Sequence, residues 1–257
     1  MLSERKRLRL AVLYPTLLNI YADRGNIEFL RRRCEWRDLG FQVTAVGVGD
    51  KLVEGSFDLV YMGGGQDRDQ VRCGEDLQGH KTAVLGDWIG QGNPLLAVCG
   101  GYQLLGKAYT GPDLSIPGIS AIDATTSQGK TRLIGPIAIR TDLAGPTDGV
   151  LAGFENHAGR TVLGSGTAPL GTVLKGHGND GSSGLEGARR GATIGTYLHG
   201  PLLPKNWWLA DWLIAKSLGL ELEDLLQLDD ALEIAAHRVA RTAAGAEWAD
   251  APGFESN

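Results

Sequence analysis

An apolar run that stops at a cysteine and passes directly into glycines is the feature that most constrains the fold of this chain. Residues 94–98 read PLLAV, and Cys99, Gly100 and Gly101 follow at once. A run this short predicts a strand buried on both faces, and the glycines permit a sharp turn into a following helix. Such a turn lifts its first side chain off the end of the sheet towards a pocket. Cys99 is therefore a candidate nucleophile at the end of a central strand.

The first hundred residues alternate between short apolar runs and segments of helical character. We predict strands at residues 8–14, 41–46, 57–62 and 95–98, and helices at residues 24–39, 67–91 and 100–109. Asp23 can cap the first helix, and Gly40 ends it. Breaks are expected in the second helix near Gly74 and Gly79. The alternation predicts an α/β fold with a mostly parallel sheet flanked by helices, in which ligands bind beyond the carboxyl ends of the strands.

The middle of the chain, residues 113–191, is rich in Gly, Thr and Pro. We predict short strands at residues 132–140, 153–157, 161–163 and 171–174, added antiparallel to one side of the parallel sheet. Two helices follow, at residues 205–218 and 228–241, the first with an apolar stripe that includes Trp208 and Trp212. The predicted organisation is one domain over residues 1–220, followed by a C-terminal helix and loose tail over residues 221–257.

Composition excludes several classes of protein. The 257 residues carry a formal net charge of −5 and a pI of about 5.6, with no basic stripe for a nucleic-acid backbone. The run Arg31, Arg32, Arg33 is expected on a solvated helix face. Three cysteines do not make a disulfide framework or a zinc site, which predicts a reducing cytoplasm and no metal. No apolar run approaches the ~18–20 residues of a membrane span.

A second apolar run, residues 192–198, ends at His199. A cysteine and a histidine that each terminate a strand of one sheet are what a thiolate–imidazolium pair requires. The backbone N–H of Gly100 is a natural donor to an oxyanion, and the glycine triplet at residues 63–65 can supply a second one. Each feature taken alone has an ordinary alternative, since buried cysteines usually serve as small apolar side chains and strand-end histidines are usually structural.

Several segments together resemble a known family. Residues 98–103, VCGGYQ, resemble the C-x-G-x-Q motif of class I, triad-type glutamine amidotransferases, and residues 197–201, YLHGP, are similar to those of the cobyric-acid-synthase-like branch. Residues 61–70, 153–157 and 202–206 narrow the resemblance to the GatD family of glutaminase subunits. The resemblance runs from Leu8 to about Leu218 and implies a flavodoxin-like sheet.

The resemblance implies an activity that composition and spacing do not show. In that family the subunit hydrolyses glutamine and passes ammonia to MurT, a Mur-ligase-like, ATP-dependent partner, within a heterodimer. The partner amidates the α-carboxylate of D-glutamate in lipid II to D-isoglutamine. ATP and Mg are then expected in the partner and no cofactor in this chain, which has no G-x-x-x-x-G-K-[ST] loop. The implied location is cytoplasmic, at the inner face of the membrane through lipid II.

The same resemblance implies roles for single residues. Cys99 would form a γ-glutamyl thioester, and His199 would protonate the leaving ammonia and then activate water. Gly64 and Gly100 would donate N–H groups to the oxyanion. The residues implied in glutamine binding are Arg132, Gln103, Asn156 and His157. An arginine suits this task because its guanidinium grips a carboxylate with two charge-assisted hydrogen bonds.

The pattern departs from the wider class at one position. Most class I amidotransferases carry an acid two residues after the histidine, and here that residue is Pro201. The third member of the triad would then be Glu155 of this chain or a carboxylate of the partner, which the GatD resemblance favours. Two other functions remain open: a glutaminase serving a corrinoid-amidating or other synthetase, and a non-catalytic module on the same fold.

Overall fold

Two six-stranded sheets organise the part of the chain that the computed structural model describes, residues 6–19, 24–143, 145 and 148–246. The first sheet contains β1 (Arg7–Leu13), β2 (Gly40–Val46), β3 (Leu59–Met62), β4 (Leu95–Val98), β11 (Ala188–Arg190) and β12 (Thr193–Thr196). Its spatial order is β11-β12-β4-β3-β1-β2, with every pair parallel except β11–β12. The prediction of a mostly parallel α/β sheet is confirmed.

Helices cover this sheet, which explains why its central strands consist of buried residues. They are α1 (Arg24–Trp36), α2 (Asp67–Leu77), α3 (His80–Gly90), α4 (Gly100–Leu105), α5 (Leu202–Lys205), α6 (Trp207–Leu218) and α7 (Ala231–Ala243), with a 3-10 turn at Leu222–Asp224. Every residue of β3, β4 and β12 is buried, as expected for parallel strands covered on both faces. No helix in the described ranges combines the length and the apolar character needed to cross a bilayer.

The second sheet differs from the prediction. Its strands are β5 (Ala108–Gly111), β6 (Leu114–Pro117), β7 (Ala124–Arg140), β8 (Val150–Leu163), β9 (Gly171–Lys175) and β10 (Leu185–Glu186). They pair with one another rather than extend the parallel sheet, and among the described strands only the short β11 is added antiparallel to that sheet. The long antiparallel pair of β7 and β8 is its centre, with a register shift between Gln128 and Leu133.

Two helix boundaries in the structure also differ from the predicted ones. The helix predicted at residues 100–109 ends at Leu105, and Tyr109 lies in β5. The predicted break at Gly74 is wrong, because α2 runs through that residue and the break lies at Gly79. A Cβ at Gly74 would lie 2.7 Å from Ile116 Cγ2, so the glycine serves close packing of α2 on β6. The predicted cap at Asp23 lies outside the described residues.

The surface prediction for the arginine run holds for two residues and fails for the third. Arg31 and Arg32 form ion pairs with the glutamates of the same helix. Arg33 is fully buried because it lies on the face of α1 that packs against α6, and there it bonds to Asp211 and Asp230. Trp207, Trp208 and Trp212 are all buried in the core.

Candidate active site

Cys99 occupies a strained turn at the end of β4. Its backbone has φ +52° and ψ −105°, a conformation that L-residues rarely adopt, and the residue is 6% exposed. A non-glycine residue with this φ persists only where the surrounding structure enforces it, and such sites are concentrated in active sites. The predicted turn from strand into helix is therefore present, with Cys99 immediately before α4.

Glycines make room for this turn. A Cβ at Gly101 would lie 2.7 Å from Met62 Cβ and 2.8 Å from the Met62 carbonyl oxygen, and a Cβ at Gly100 would lie 2.9 Å from the Gln70 side chain. The Gly101 N–H donates to the Gly63 carbonyl at 3.1 Å. The turn after β4 and the glycine triplet after β3 thus pack backbone against backbone, which brings Gly64 and Gly100 to the same edge of the sheet.

His199 reaches that edge from the other side of Cys99. β12 pairs in parallel with β4, and the Cys99 N–H donates to the Thr196 carbonyl at 2.8 Å. Three residues beyond Thr196, the backbone of His199 exchanges hydrogen bonds with Phe154 of β8, and the residue is 1% exposed. Because β12, β4 and β3 are neighbours, Cys99 stands between His199 and the glycine triplet.

A buried carboxylate that sequence reasoning missed lies beside this segment. Glu186 is fully buried, accepts the Tyr197 N–H at 2.7 Å and accepts the Thr196 hydroxyl at 3.1 Å. Burial raises the pKa of Glu186 to about 8, the bonds from Tyr197 and Thr196 oppose that rise, and His199 lies near enough to lower the same pKa. Glu186 belongs to a two-residue strand after a Gly- and Ser-rich loop, a context that gives no sequence signal of burial.

Glu155, the acid considered from sequence, has other contacts. Its carboxylate accepts the backbone N–H groups of His177 at 2.7 Å and Gly178 at 2.9 Å. It also lies 3.7 Å from Nε2 of His157. These contacts tie the loop between β9 and β10 to β8. Its assignment as the third member of a triad stays a prediction.

Tyr197 gathers several of the predicted binding residues beneath the His199 segment. Its hydroxyl receives a hydrogen bond from Gln103 Nε2 at 3.1 Å and lies 2.6 Å from the Thr161 hydroxyl. His157 stacks on the Tyr197 ring, with centroids 3.6 Å apart, and its Nδ1 lies 2.8 Å from the Gly159 carbonyl oxygen. Burial lowers the pKa of His157, which favours the neutral ring. Gln103 and His157 thus form the buried wall behind Tyr197, and their contact with a substrate stays a prediction.

Arg132 and Asn156 lie together on the open side. Arg132 is exposed within the irregular part of β7, and it donates from Nε to Asn156 Oδ1 at 2.9 Å and from Nη2 to the Asn156 carbonyl at 2.8 Å. Tyr109, which the sequence pattern placed in a helix, is buried in β5, and burial raises its pKa to about 12.

Comparison with known proteins agrees with this geometry. The CobB/CobQ-like glutamine amidotransferase domain family matches residues 9–207. The chain belongs to this family. The matched range includes the strained turn at Cys99. In the described residues, no group of three His, Cys, Asp or Glu side chains is arranged to hold a metal ion.

Two curated relatives of this amidotransferase are similar over most of its length. The lipid II isoglutaminyl synthase (glutamine-hydrolysing) subunit GatD of Staphylococcus aureus is 39% identical, over 86% of this chain and 90% of the relative. The corresponding subunit of Streptococcus pneumoniae is 34% identical, over 91% and 89%. A solved glutamine amidotransferase of Thermotoga maritima superposes with a TM-score of 0.53 at 17% identity, covering 93% and 94% of the two chains, and shares the fold.

Proposed function

We propose that this chain is the glutamine-hydrolysing subunit of a lipid II isoglutaminyl synthase. The observation that carries the proposal is Cys99 in a strained turn between His199 and a glycine triplet, in a chain whose GatD relatives align over most of its length. The relatives are named as subunits, so the proposal includes a partner.

The chemistry begins at the sulfur of Cys99. The thiolate attacks the side-chain amide carbon of glutamine, the C–N bond breaks, and the leaving nitrogen takes a proton from the His199 imidazolium to depart as ammonia. His199 then removes a proton from water, which attacks the γ-glutamyl thioester and releases glutamate and the thiol. The backbone N–H groups of Gly64 and Gly100 stabilise the negative oxygen of the tetrahedral intermediates.

Arg132 and Asn156, on the open side of the site, recognise the amino-acid end of glutamine. Asn156 already occupies Nε and Nη2 of Arg132 and so orients the guanidinium, while Nη1 has no acceptor among the described residues. Nη1 is therefore free to bind the α-carboxylate of glutamine. Gln103 and His157, which contact Tyr197, are assigned to the buried wall of the site.

The partner in this proposal is a MurT-like Mur ligase subunit. It would hold ATP and Mg, receive the ammonia and amidate the D-glutamate α-carboxylate of lipid II. The three unpaired cysteines suit a reducing compartment, so the proposal keeps a cytoplasmic location. The domain boundary after residue 220 stays part of the proposal, since the family match ends at residue 207.

Labelling with a glutamine-analogue electrophile tests the hydrolytic role. We expect one adduct, on Cys99, and loss of ammonia release from glutamine in Cys99→Ala. Cys73→Ala is the matched control and should keep both, because burial raises the pKa of Cys73 to about 12 and leaves its thiol inert. No adduct on Cys99, with or without the ligase subunit, would leave the non-catalytic module as the better assignment.

The acceptor is tested separately. With the ligase subunit, ATP and lipid II, amide-labelled glutamine should transfer its ¹⁵N to the stem peptide. Transfer to a corrinoid acid and not to lipid II would instead identify the corrinoid-amidating alternative.

A further inference from the structure

The last helix, α7, turns three polar side chains inward and several apolar side chains outward. Glu233, His237 and Arg241 are at most 9% exposed, whereas Leu232 is 80% and Val239 71% exposed. A helix on the surface of a monomer normally shows the opposite arrangement, with its apolar stripe towards the core. The packing of the described residues therefore does not account for the outward face of α7.

Specific bonds hold α7 in this orientation. His237 Nδ1 lies 2.7 Å from the Lys205 carbonyl oxygen at the end of α5. Arg241 binds both carboxylate oxygens of Asp148, at 2.8 and 2.9 Å. Turning the apolar face inward would break these bonds and leave buried charged groups without partners, which is expensive. The exposed apolar face is therefore a built feature of the surface.

This face and Lys205 line a shallow groove of about 520 Å³ that is open to solvent. Its lining consists of small or aliphatic side chains and a single cation: Leu232, Ala235, Ala236, Val239, Ala240, Ala243 and Lys205. We call the helix residues among them the α7 stripe. Alanines along a helix let another element approach its backbone closely, and exposed apolar side chains that lie side by side suit contact with an apolar partner surface.

Lys205 is the charged residue of the groove, and it marks the end that lies near the catalytic segment. Its ammonium has no hydrogen-bond or ion-pair partner within residues 6–19, 24–143, 145 and 148–246, and burial lowers its pKa. A half-buried lysine without an acid is stabilised by a carboxylate brought from outside. Gly200 is the residue after His199. A Cβ added at Gly200 would lie 3.1 Å from Lys205 Nζ, so Lys205 is close to this backbone. One end of the groove thus adjoins the catalytic segment.

We propose that the α7 stripe and Lys205 form the docking surface for the ATP-dependent ligase subunit, which covers the stripe with an apolar face and places a carboxylate against Lys205. This inference rests on the proposed function. The position beside His199 suits an enzyme whose ammonia must pass to another subunit. A second copy of this chain fits less well, because the stripe contains no acid that could reach Lys205 across a symmetric contact.

Binding of the purified ligase subunit to the full chain tests the surface. Val239→Glu buries a new charge in the contact and Lys205→Glu opposes the partner's carboxylate, so each should raise the Kd at least ~10-fold. Val53→Glu is the matched control, since Val53 is 58% exposed and lies in the loop between β2 and β3, and its Kd should equal that of the unchanged chain. Equal Kd values for Val239→Glu and the unchanged chain, or no binding by the unchanged chain, would overturn the proposal.

Two further measurements separate the explanations. Val239→Glu should keep the melting temperature and the Cys99 labelling of the isolated chain, which shows that the fold and the site are intact. A dimer of the unchanged chain that Val239→Glu converts to a monomer, with ligase binding unaffected, would assign the stripe to a second copy and overturn the proposal. Absence of Cys99 labelling contradicts the proposed function, whereas the docking surface is judged by the Kd values alone.

Discussion

At the scale of single residues, the turn at Cys99 depends on the absence of a side chain at Gly101. Gly101 lies where a Cβ would press on the backbone of β3, 2.8 Å from the Met62 carbonyl oxygen and 3.0 Å from that of Gly63. We expect Gly101→Ala to displace the turn at Cys99 and to destabilise the protein by ~1–3 kcal/mol, the usual cost of overpacking. Urea unfolding and the rate of Cys99 labelling measure the two effects.

Gly86 supplies the control for this substitution. It lies inside α3, and a Cβ there would meet no atom within 4 Å. Gly86→Ala should therefore stabilise the protein by ~0.5–1 kcal/mol, because alanine loses less backbone entropy in a helix, and should leave Cys99 labelling unchanged. Similar effects of the two substitutions would show that close packing is not what Gly101 provides.

At the scale of elements, Glu186 joins β10 of the second sheet to the segment that follows β12. Its folded-state pKa of about 8 stands above the ordinary 4.5, so between these values the folded protein binds more protons than the unfolded chain. Its contribution to stability is therefore complete below about 4.5 and is lost as the pH rises to about 8.

Glu186→Gln, which cannot ionise, tests this dependence. The unfolding free energy of the unchanged protein, minus that of the variant, should fall as pH rises through this window, by at most ~1.4 kcal/mol per unit. Glu54→Gln, at an exposed glutamate in the loop between β2 and β3, is the control for the chemical change itself. A difference for Glu186 that stays constant with pH would mean that the carboxyl group is already ionised in the folded protein.

Strands that show a continuous apolar run could be predicted from the sequence. Strands defined by pairing with segments distant in sequence could not. β4 and β12 are wholly buried, so their apolar runs marked both strands and placed Cys99 and His199 at one edge. The second sheet pairs β7 with β8 and β5 with β7, and alternating burial in Gly- and Thr-rich segments does not reveal which strand lies beside which. Glu186 was missed for the same reason, since packing between segments distant in sequence places it beside Thr196 and Tyr197.

At the scale of the whole molecule, one ion network joins the first helix, α1, to the late helix α6 and to the start of α7. Arg33 of α1 is fully buried and bonds to Asp211 of α6 and to Asp230, the residue before α7. Arg37 adds bonds to Asp211 and to the Leu226 carbonyl, both at 2.8 Å. The network therefore anchors the start of the helix that carries the α7 stripe.

Removing the centre of this network should destabilise the entire fold. Arg33→Ala leaves two carboxylates without their shared cation, so we expect a loss of ~3–5 kcal/mol in urea unfolding. Arg32→Ala is the control on the same helix, because its side chain is 52% exposed and water screens its ion pairs with Glu28 and Glu35, so its loss should be much smaller. Equal losses for the two variants would mean that burial adds nothing to the Arg33 ion pairs. A large loss for Arg33→Ala together with an unchanged Kd for the ligase subunit would show that the anchor serves the fold alone.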